Sequence, residues 1–216
     1  MSVGATPSLS DFRNQRLTAL LDEQAKFQAS DKQGSDFFGR STAISDDGNT
    51  AIVGAHFEDG AGSAYIFTWS GTSWTQQQKI QASDKQAGDF FGISISISEN
   101  GNTAIVGTAN EDSAGAAYIF TRSGTTWTQQ QKIQASDKQG GDFFGISVSI
   151  SEDGNTAIVG AANEDSVSAT YIFTRSGNSW TQKQKIQASV KQTFDLFGNS
   201  LALSGDGNTA IVGVYV

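Results

Sequence analysis

The sequence predicts an all-β chain assembled from a repeated four-stranded unit. Three observations carry that reading. The string QASDKQGSDFFG at Gln28 returns with few changes at Gln81, Gln134 and Gln187, a spacing of 53 residues each time. Each copy contains short runs that alternate apolar and polar residues or are continuously apolar, bounded by Gly-containing turns. The 24 Gly against a single Pro suit many short strands joined by tight turns. Residues 81–133 and 134–186 differ at only ten positions, so one copy can be read for all.

In the third copy, Gly145–Ser151 alternates Ile146, Val148 and Ile150 with Ser147, Ser149 and Ser151, the period of a strand. Asp153-Gly154-Asn155 then reads as a tight hairpin turn, because Gly tolerates positive φ. Thr156–Ala161 (TAIVGA) is an apolar run that suits a strand buried on both faces. Tyr171–Thr174 makes a third strand, and Ser176-Gly177-Asn178 turns the chain again. Trp180–Ile186 makes a fourth, with Trp180 and Ile186 expected on one face and Thr181, Lys183 and Lys185 on the other. Its Gln and Lys content suits an outer edge.

Four antiparallel strands every 50 or so residues is the pattern of a β-propeller blade. Full blades are predicted over 38–80, 91–133 and 144–186, with a partial blade over 197–216. Residues 21–30 (LDEQAKFQAS) align with WTQQQKIQAS, Leu21 replacing Trp74, and predict one more outer strand. Residues 1–20 form a separate N-terminal segment. There, Ser8 and Asp11 have capping-box spacing, and Phe12, Leu17 and Leu20 predict a short helix over 9–19.

The Phe-Gly pairs at Phe38, Phe91, Phe144 and Phe197 each precede a Val-Gly strand end, at Val53, Val106, Val159 and Val212. In this the chain resembles the FG-GAP repeat, the blade unit of integrin α-subunit propellers and of many bacterial surface proteins, over about residues 21–216. The resemblance implies a propeller, an extracellular or cell-surface location, and a role in recognition or adhesion. It also implies a Ca²⁺ loop between the first two strands, and here the sequence departs. The loop has shrunk to Ser151-Glu152-Asp153-Gly154-Asn155, with Ala157 where a closing Asp belongs. Ca²⁺ takes six or more oxygens, so no metal site is carried over to Asp47, Asn100, Asp153 or Asp206, and no cofactor is expected.

The net charge of −8 and a pI near 4.5 describe a surface that repels phosphate backbones, which excludes nucleic acid as a partner class. There is no Cys, hence no disulfide or thiolate metal site. No apolar window reaches membrane-spanning length, so no membrane insertion is expected, and MSVGATPSLSDFRNQ lacks the basic and apolar regions of a signal peptide.

Strands that alternate in direction bring the fourth-to-first and second-to-third loops to one rim. That rim carries Asp31, Asp36, Asp84, Asp89, Asp137, Asp142 and Asp195, together with Glu58, Asp59, Asn110, Glu111, Asp112, Asn163, Glu164 and Asp165. An acidic ring of this kind could bind a cation or a basic or polyhydroxyl ligand. For Asp36, Asp89, Asp142 and Asp195 the plainer role is a turn bond to their own loop backbone. The Asn-Glu-Asp loops have no such local requirement and stand as ligand-binding candidates. The Phe pairs and Trp74, Trp127 and Trp180 read as blade core. Trp69 stands where other copies have Arg122 and Arg175, so it is expected to be exposed and able to contact a sugar.

Catalysis finds no constellation. His56 is the lone histidine, and no G-x-S-x-G elbow is present. The sequence therefore predicts a non-catalytic recognition or adhesion module that binds protein or glycan through the acidic rim. The alternative is a structural, self-assembling protein whose incomplete end blades are completed between subunits, as a head-to-tail homo-oligomer. Completion within one molecule would give four blades, and completion across a dimer eight.

Overall fold

The computed structural model describes residues 25–162, 168–189 and 195–214. The helix predicted over 9–19, residues 21–24 of the predicted outer strand, and Asn163, Glu164 and Asp165 lie outside the described residues. The first blade comprises β1 (Phe38–Ile44), β2 (Thr50–Ala55), β3 (Ser63–Trp69) and β4 (Trp74–Ile80). The second comprises β5 (Ser94–Ile97), β6 (Thr103–Thr108), β7 (Ala116–Ser123) and β8 (Thr126–Ile133). The third comprises β9 (Phe144–Ile150), β10 (Thr156–Ala161), β11 (Ala169–Ser176) and β12 (Ser179–Ile186), and β13 (Ser200–Leu203) with β14 (Ala210–Gly213) begin a fourth. Within each blade consecutive strands pair antiparallel in sequence order. The first strands β1, β5, β9 and β13 pack side by side as the innermost layer.

The second strands are buried along their whole length in the first two blades, as an apolar run without alternation requires. The loop between first and second strands is wider than the tight hairpin expected. Ser151 N–H donates to Thr156 O, and Gly154 N–H donates back to Ser151 O, so five residues make the connection with Gly154 at φ 69°. Hydroxyl and carboxylate hold it: Thr156 N–H donates to Ser151 Oγ at 3.0 Å, while Asp153 accepts from Ser151 Oγ and from Asn155 N–H. The same bonds recur around Asp47 and Asp206.

The outer strands depart from simple alternation. In the third blade Phe173 pairs with Gln182 and Ile172 with Gln184, so Lys183 bulges out of register. The bulge flips every later side chain to the other face. Trp180 and Ile186 therefore face opposite ways, and Lys185 joins Trp180 on the face of Tyr171, which corrects the parity read from sequence. Equivalent bulges fall in the first and second blades. They let each outer strand serve two cores. Trp127 packs with Phe91, Tyr118 and Phe120 against the first blade, while Ile133 packs into the core shared with the third.

Blades lock together where Phe-Gly meets Val-Gly. Gly107 lies under the carbonyl of Gly145 from the next blade, so close that a Cβ would sit 2.0 Å from that oxygen. The space a side chain would fill is used by Ser94 Oγ, which donates to the same carbonyl at 2.7 Å. Gly54 with Ser41 and Gly160 with Ser147 repeat the arrangement. The second Phe of each pair, Phe91 and Phe144, is fully buried at these junctions. On the outer strands Gln78 donates to Trp127 O and accepts from Trp127 N–H, and Gln131 does the same with Trp180.

Residues 25–30 form no strand. They nevertheless make the contacts that the end of a preceding blade's outer strand would make. Phe27 packs edge-on against Phe67 and Trp74 at 4.9 and 5.3 Å, and Ser30 N–H donates to Gln76 as Ser83 N–H does to Gln129.

Candidate functional site

The fourth-to-first and second-to-third loops do share one rim: Gly88 N–H donates to Gly60 O, and Asn110 Nδ2 to Gly88 O at 2.9 Å. The acids there are engaged with the protein itself. Lys79 lies opposite Tyr65 in the register, and its Nζ pairs with Asp31 Oδ2 at 2.8 Å and with Glu58, while Tyr65 Oη donates to Asp31 Oδ1 at 2.8 Å. In the second blade Lys132 pairs with Glu111 at 2.6 Å, Asp84 at 2.9 Å and Asp112 at 3.2 Å, and Tyr118 donates to Asp84. Lys185, Asp137 and Tyr171 repeat the triad in the third. Each ammonium also sits over its Tyr ring at 5.4–5.8 Å. Asp36 and Asp142 accept the N–H of Gln33 and Gln139 at 2.6 Å, and Asp89 that of Gln86, the turn role expected of them.

These contacts set the electrostatics. Hydrogen bonds from Lys79 and Lys185 hold Asp31 and Asp137 below the ordinary carboxylate range. At Asp84 burial opposes ionisation, and Tyr118 and Lys132 together still keep it low. Burial pushes Glu111 up to about 7, against the pull of Lys132 and with the support of the Asp89 carboxylate beside it. Its Oε2 has no hydrogen-bond partner. In the first blade Ser63 Oγ donates to the matching oxygen of Glu58, and the second blade has Ala116 at that place.

Glu58 and Glu111 are thus buried ion-pair partners rather than an open acidic ring. Asp59 and Asp112, at φ 49° and 50°, keep side chains about half exposed. Asn110 is half-buried and spent on Gly88. Trp69 lies at the opposite rim, half-buried against Trp74 at 5.6 Å, because its strand register pairs it with that ring. Trp69 is thus only partly open to solvent, where the sequence led to an exposed ring.

A second feature of the rim was not read from sequence. An apolar cavity of about 340 Å³ opens on the axis between the innermost strands, lined by His56, Phe57, Phe90, Ile93, Ala109, Phe143, Ile146, Ala162, Leu196 and Asn199. The two Phe of each pair divide their roles. The second enters the blade core, and the first, at φ 63° in Phe90 and 51° in Phe143, turns to the axis. A bulky residue in the left-handed region is strained, and strain of this kind marks sites that the surroundings hold in place. His56, Phe57, Phe37 and Phe90 form an aromatic cluster with ring separations of 4.8–6.2 Å. Phe37 and Phe57 are 57% and 43% exposed, while His56 is only 8% exposed, and burial with Arg40 nearby holds its imidazole neutral by lowering its pKa. The signal available in sequence was the break in the repeat: His56-Phe57 against Ala109-Asn110.

Comparison with known proteins agrees with this architecture. Solved structures of similar shape include a protein from Lactobacillus plantarum (13% identity, TM-score 0.55, covering 80% of this chain and 49% of that one). A candidate 6-phosphogluconolactonase from Bacteroides fragilis is similar at 19% identity and TM-score 0.51, over 68% of this chain and 38% of that one. TolB from Acinetobacter baumannii aligns at 15% identity and TM-score 0.49, over 80% and 36%. The chain spans less than half the length of each. No curated protein matches the sequence. The FG-GAP repeat profile matches residues 21–67, 74–120, 127–173 and 180–216, the last three units each running from one outer strand into the inner strands of the next blade. With its Phe-Gly and Val-Gly positions forming the locks between blades, the chain belongs to the FG-GAP repeat family.

Proposed function

We propose that this chain is a non-catalytic recognition module that takes a protein or glycan ligand at the axial mouth of its loop rim, at the cell surface or outside the cell. One observation carries the reading. On a rim whose described acids are largely tied to Lys, Tyr and backbone partners, the axial cavity is apolar, aromatic and open, with Phe37 and Phe57 exposed around it. The rim carboxylates Asp59 and Asp112 would then set the polar border of the site. A panel of N-acetylated tripeptides and disaccharides, followed by amide and aromatic NMR shifts, tests it. Shifts at Phe57, Phe90, Ile93, Phe143 and Ile146 are expected. Shifts confined to the outer strands, or none at millimolar concentration, overturn the reading.

Self-assembly is a second reading, favoured by the two end faces. Ile211 is 72% exposed, whereas Ile52, Ile105 and Ile158 at the same repeat position are fully buried by the following blade. Ile44 on the first blade is 58% exposed, whereas Ile150 at its repeat position is 6% exposed. The two faces have the chemistry that meets at every internal junction, so a second copy could join them head to tail. Light scattering decides: masses that are multiples of 22.8 kDa and rise with concentration support assembly, and a persistent monomer removes it.

A further inference from the structure

In every repeat a carboxylate stands directly before the apolar residue that the fourth-to-first loop sends to the axis. Asp36 precedes Phe37, Asp89 precedes Phe90, Asp142 precedes Phe143 and Asp195 precedes Leu196, and the last three of these apolar residues line the cavity. Asp36, Asp89 and Asp142 accept backbone N–H groups, which hold them in place without cancelling their charge. Asp59, two residues past Phe57, and Asp112, three past Ala109, add half-exposed carboxylates close to two more lining residues. Ala162 also lines the cavity, and Glu164 and Asp165 follow it in the sequence. Burial holds His56 neutral, so it brings no positive charge, while Arg40 beside it opposes the carboxylates, exposed and outnumbered. A mouth of this composition draws cations from solution. The walls select among them. Phe57 and Phe90 pack on each other at 5.0 Å, and Phe143 makes no ring contact with either, so two aromatic walls stand apart around about 340 Å³. Aromatic rings attract a cation through their quadrupole. A primary ammonium carries three donors that each need an acceptor, whereas a quaternary ammonium has none and presents methyl groups to the rings.

We infer that the axial cavity binds a quaternary ammonium group, seated between Phe143 and the Phe57–Phe90 pair within the ring of carboxylates. The inference deepens the recognition reading and rests on it. A free small molecule and a trimethylated lysine of a partner protein carry the same group, and the test separates them.

The full chain is titrated at low salt with choline and with 3,3-dimethylbutanol, which has the same shape with carbon in place of the charged nitrogen. The aromatic shifts of Phe57 and Phe90 follow binding. Choline should bind about five-fold more tightly than the alcohol, the worth of one partly exposed cation–π contact. In Phe143→Leu that preference should shrink while the alcohol still binds, and the fourth repeat already carries Leu196 at this position. Should that variant not fold, Arg40→Gln decides, since Arg40 is exposed. It should raise the affinity for choline about two-fold by removing the opposing charge, and leave that for the alcohol unchanged. Tighter binding of N-acetyl-Gly-trimethyllysine-Gly-amide than of choline assigns the group to a partner segment, and weaker binding assigns it to a free ligand. Equal affinity for choline and the alcohol, a preference untouched by Phe143→Leu, choline affinity that does not rise in Arg40→Gln, or no binding of either overturns the inference. If the tripeptides and disaccharides shift the axial residues while choline shows no preference, the recognition reading stands and this one falls. If choline binds as expected and neither those probes nor the trimethyllysine peptide shift anything, a small-cation site remains and macromolecular recognition falls.

Discussion

Glu58 and Glu111 stand at one repeat position with different partners. Ser63 and Gln81 both bond Oε2 of the first carboxylate, whereas Gln134 turns to Gly115 O and Ala116 offers no hydroxyl, so the second keeps an unbonded, buried oxygen. Because the folded-state pKa of Glu111 is raised to about 7, the folded protein holds this proton more tightly than the unfolded chain does. That contribution is full below the ordinary Glu range and is lost as pH rises through about 7. Ala116→Ser should therefore stabilise the protein by about 1 kcal/mol at pH 8 and by much less at pH 5. Denaturant titrations at the two pH values check this. Lys132→Met should cost about 3 kcal/mol at pH 8 by stranding Glu111, less at pH 5 where the carboxyl takes up a proton, and Glu111→Leu on that background should recover most of it. Asp31, Asp84 and Asp137 run the other way. Their lowered pKa values give stability that is present above the ordinary Asp range and lost as pH falls below it, by a small amount because the pairs are partly exposed. Calcium should matter little, since Asp47, Asp153 and Asp206 spend carboxylate oxygens on turn bonds. An EDTA-induced fall in melting temperature reversed by Ca²⁺ alone would contradict this.

At the scale of the strand, the sequence was legible wherever the period was regular. TAIVGA predicted β10 to the residue, because a run buried on both faces leaves no parity to misjudge. The parity of the outer strand was not legible, because a bulge has no composition signal. Gln77, Gln130 and Lys183 resemble their neighbours, yet they reverse the facing of every later residue in the strand. The ion triads were equally hidden, since Asp31 and Lys79 are 48 positions apart and only the register sets Lys79 against Tyr65. The axial cavity escaped because adjacent Phe residues point opposite ways through a positive φ that sequence does not announce. The Val-Gly position was visible as a motif, and its reason is the approach of the next blade's carbonyl. Gly107→Ala should cost about 3 kcal/mol through overpacking against backbone. Gly124→Ala, at φ 61° with no neighbour within 4 Å, should cost only about 1 kcal/mol. Equal losses in urea titrations would refute the interlocking role.

For the whole molecule, stability should be distributed by the number of neighbours each blade has. Phe144 is fully buried between the second and third blades, and Phe144→Ala should cost about 3–5 kcal/mol. Phe197, half-buried against the two-stranded fourth blade, should cost clearly less when truncated. Hydrogen exchange should show the same gradient, slowest in the second blade and fastest in β13 and β14. Concentration dependence ties this to assembly: if copies join at the end faces, protection at Ile211 and Ile44 should rise with protein concentration and stay constant in a monomer.

The ten differences that separate the second and third repeats have a kinetic consequence. β7 reads AAYIFTRS and β11 reads ATYIFTRS, so β6 can accept either as its neighbour in the same register. Strand pairing alone cannot tell the right sister from the wrong one. Only the span of the connecting loops can, and it acts late, after the pairs have formed. Refolding should therefore pass through misthreaded chains with native-like strand content. Because the wrong partner lies on the same molecule, dilution should not reduce their fraction. Sequence divergence between neighbouring blades would relieve the trap, and Thr108, Gly115 and Ala117 against Ala161, Ser168 and Thr170 are among the few marks of identity these sister blades possess.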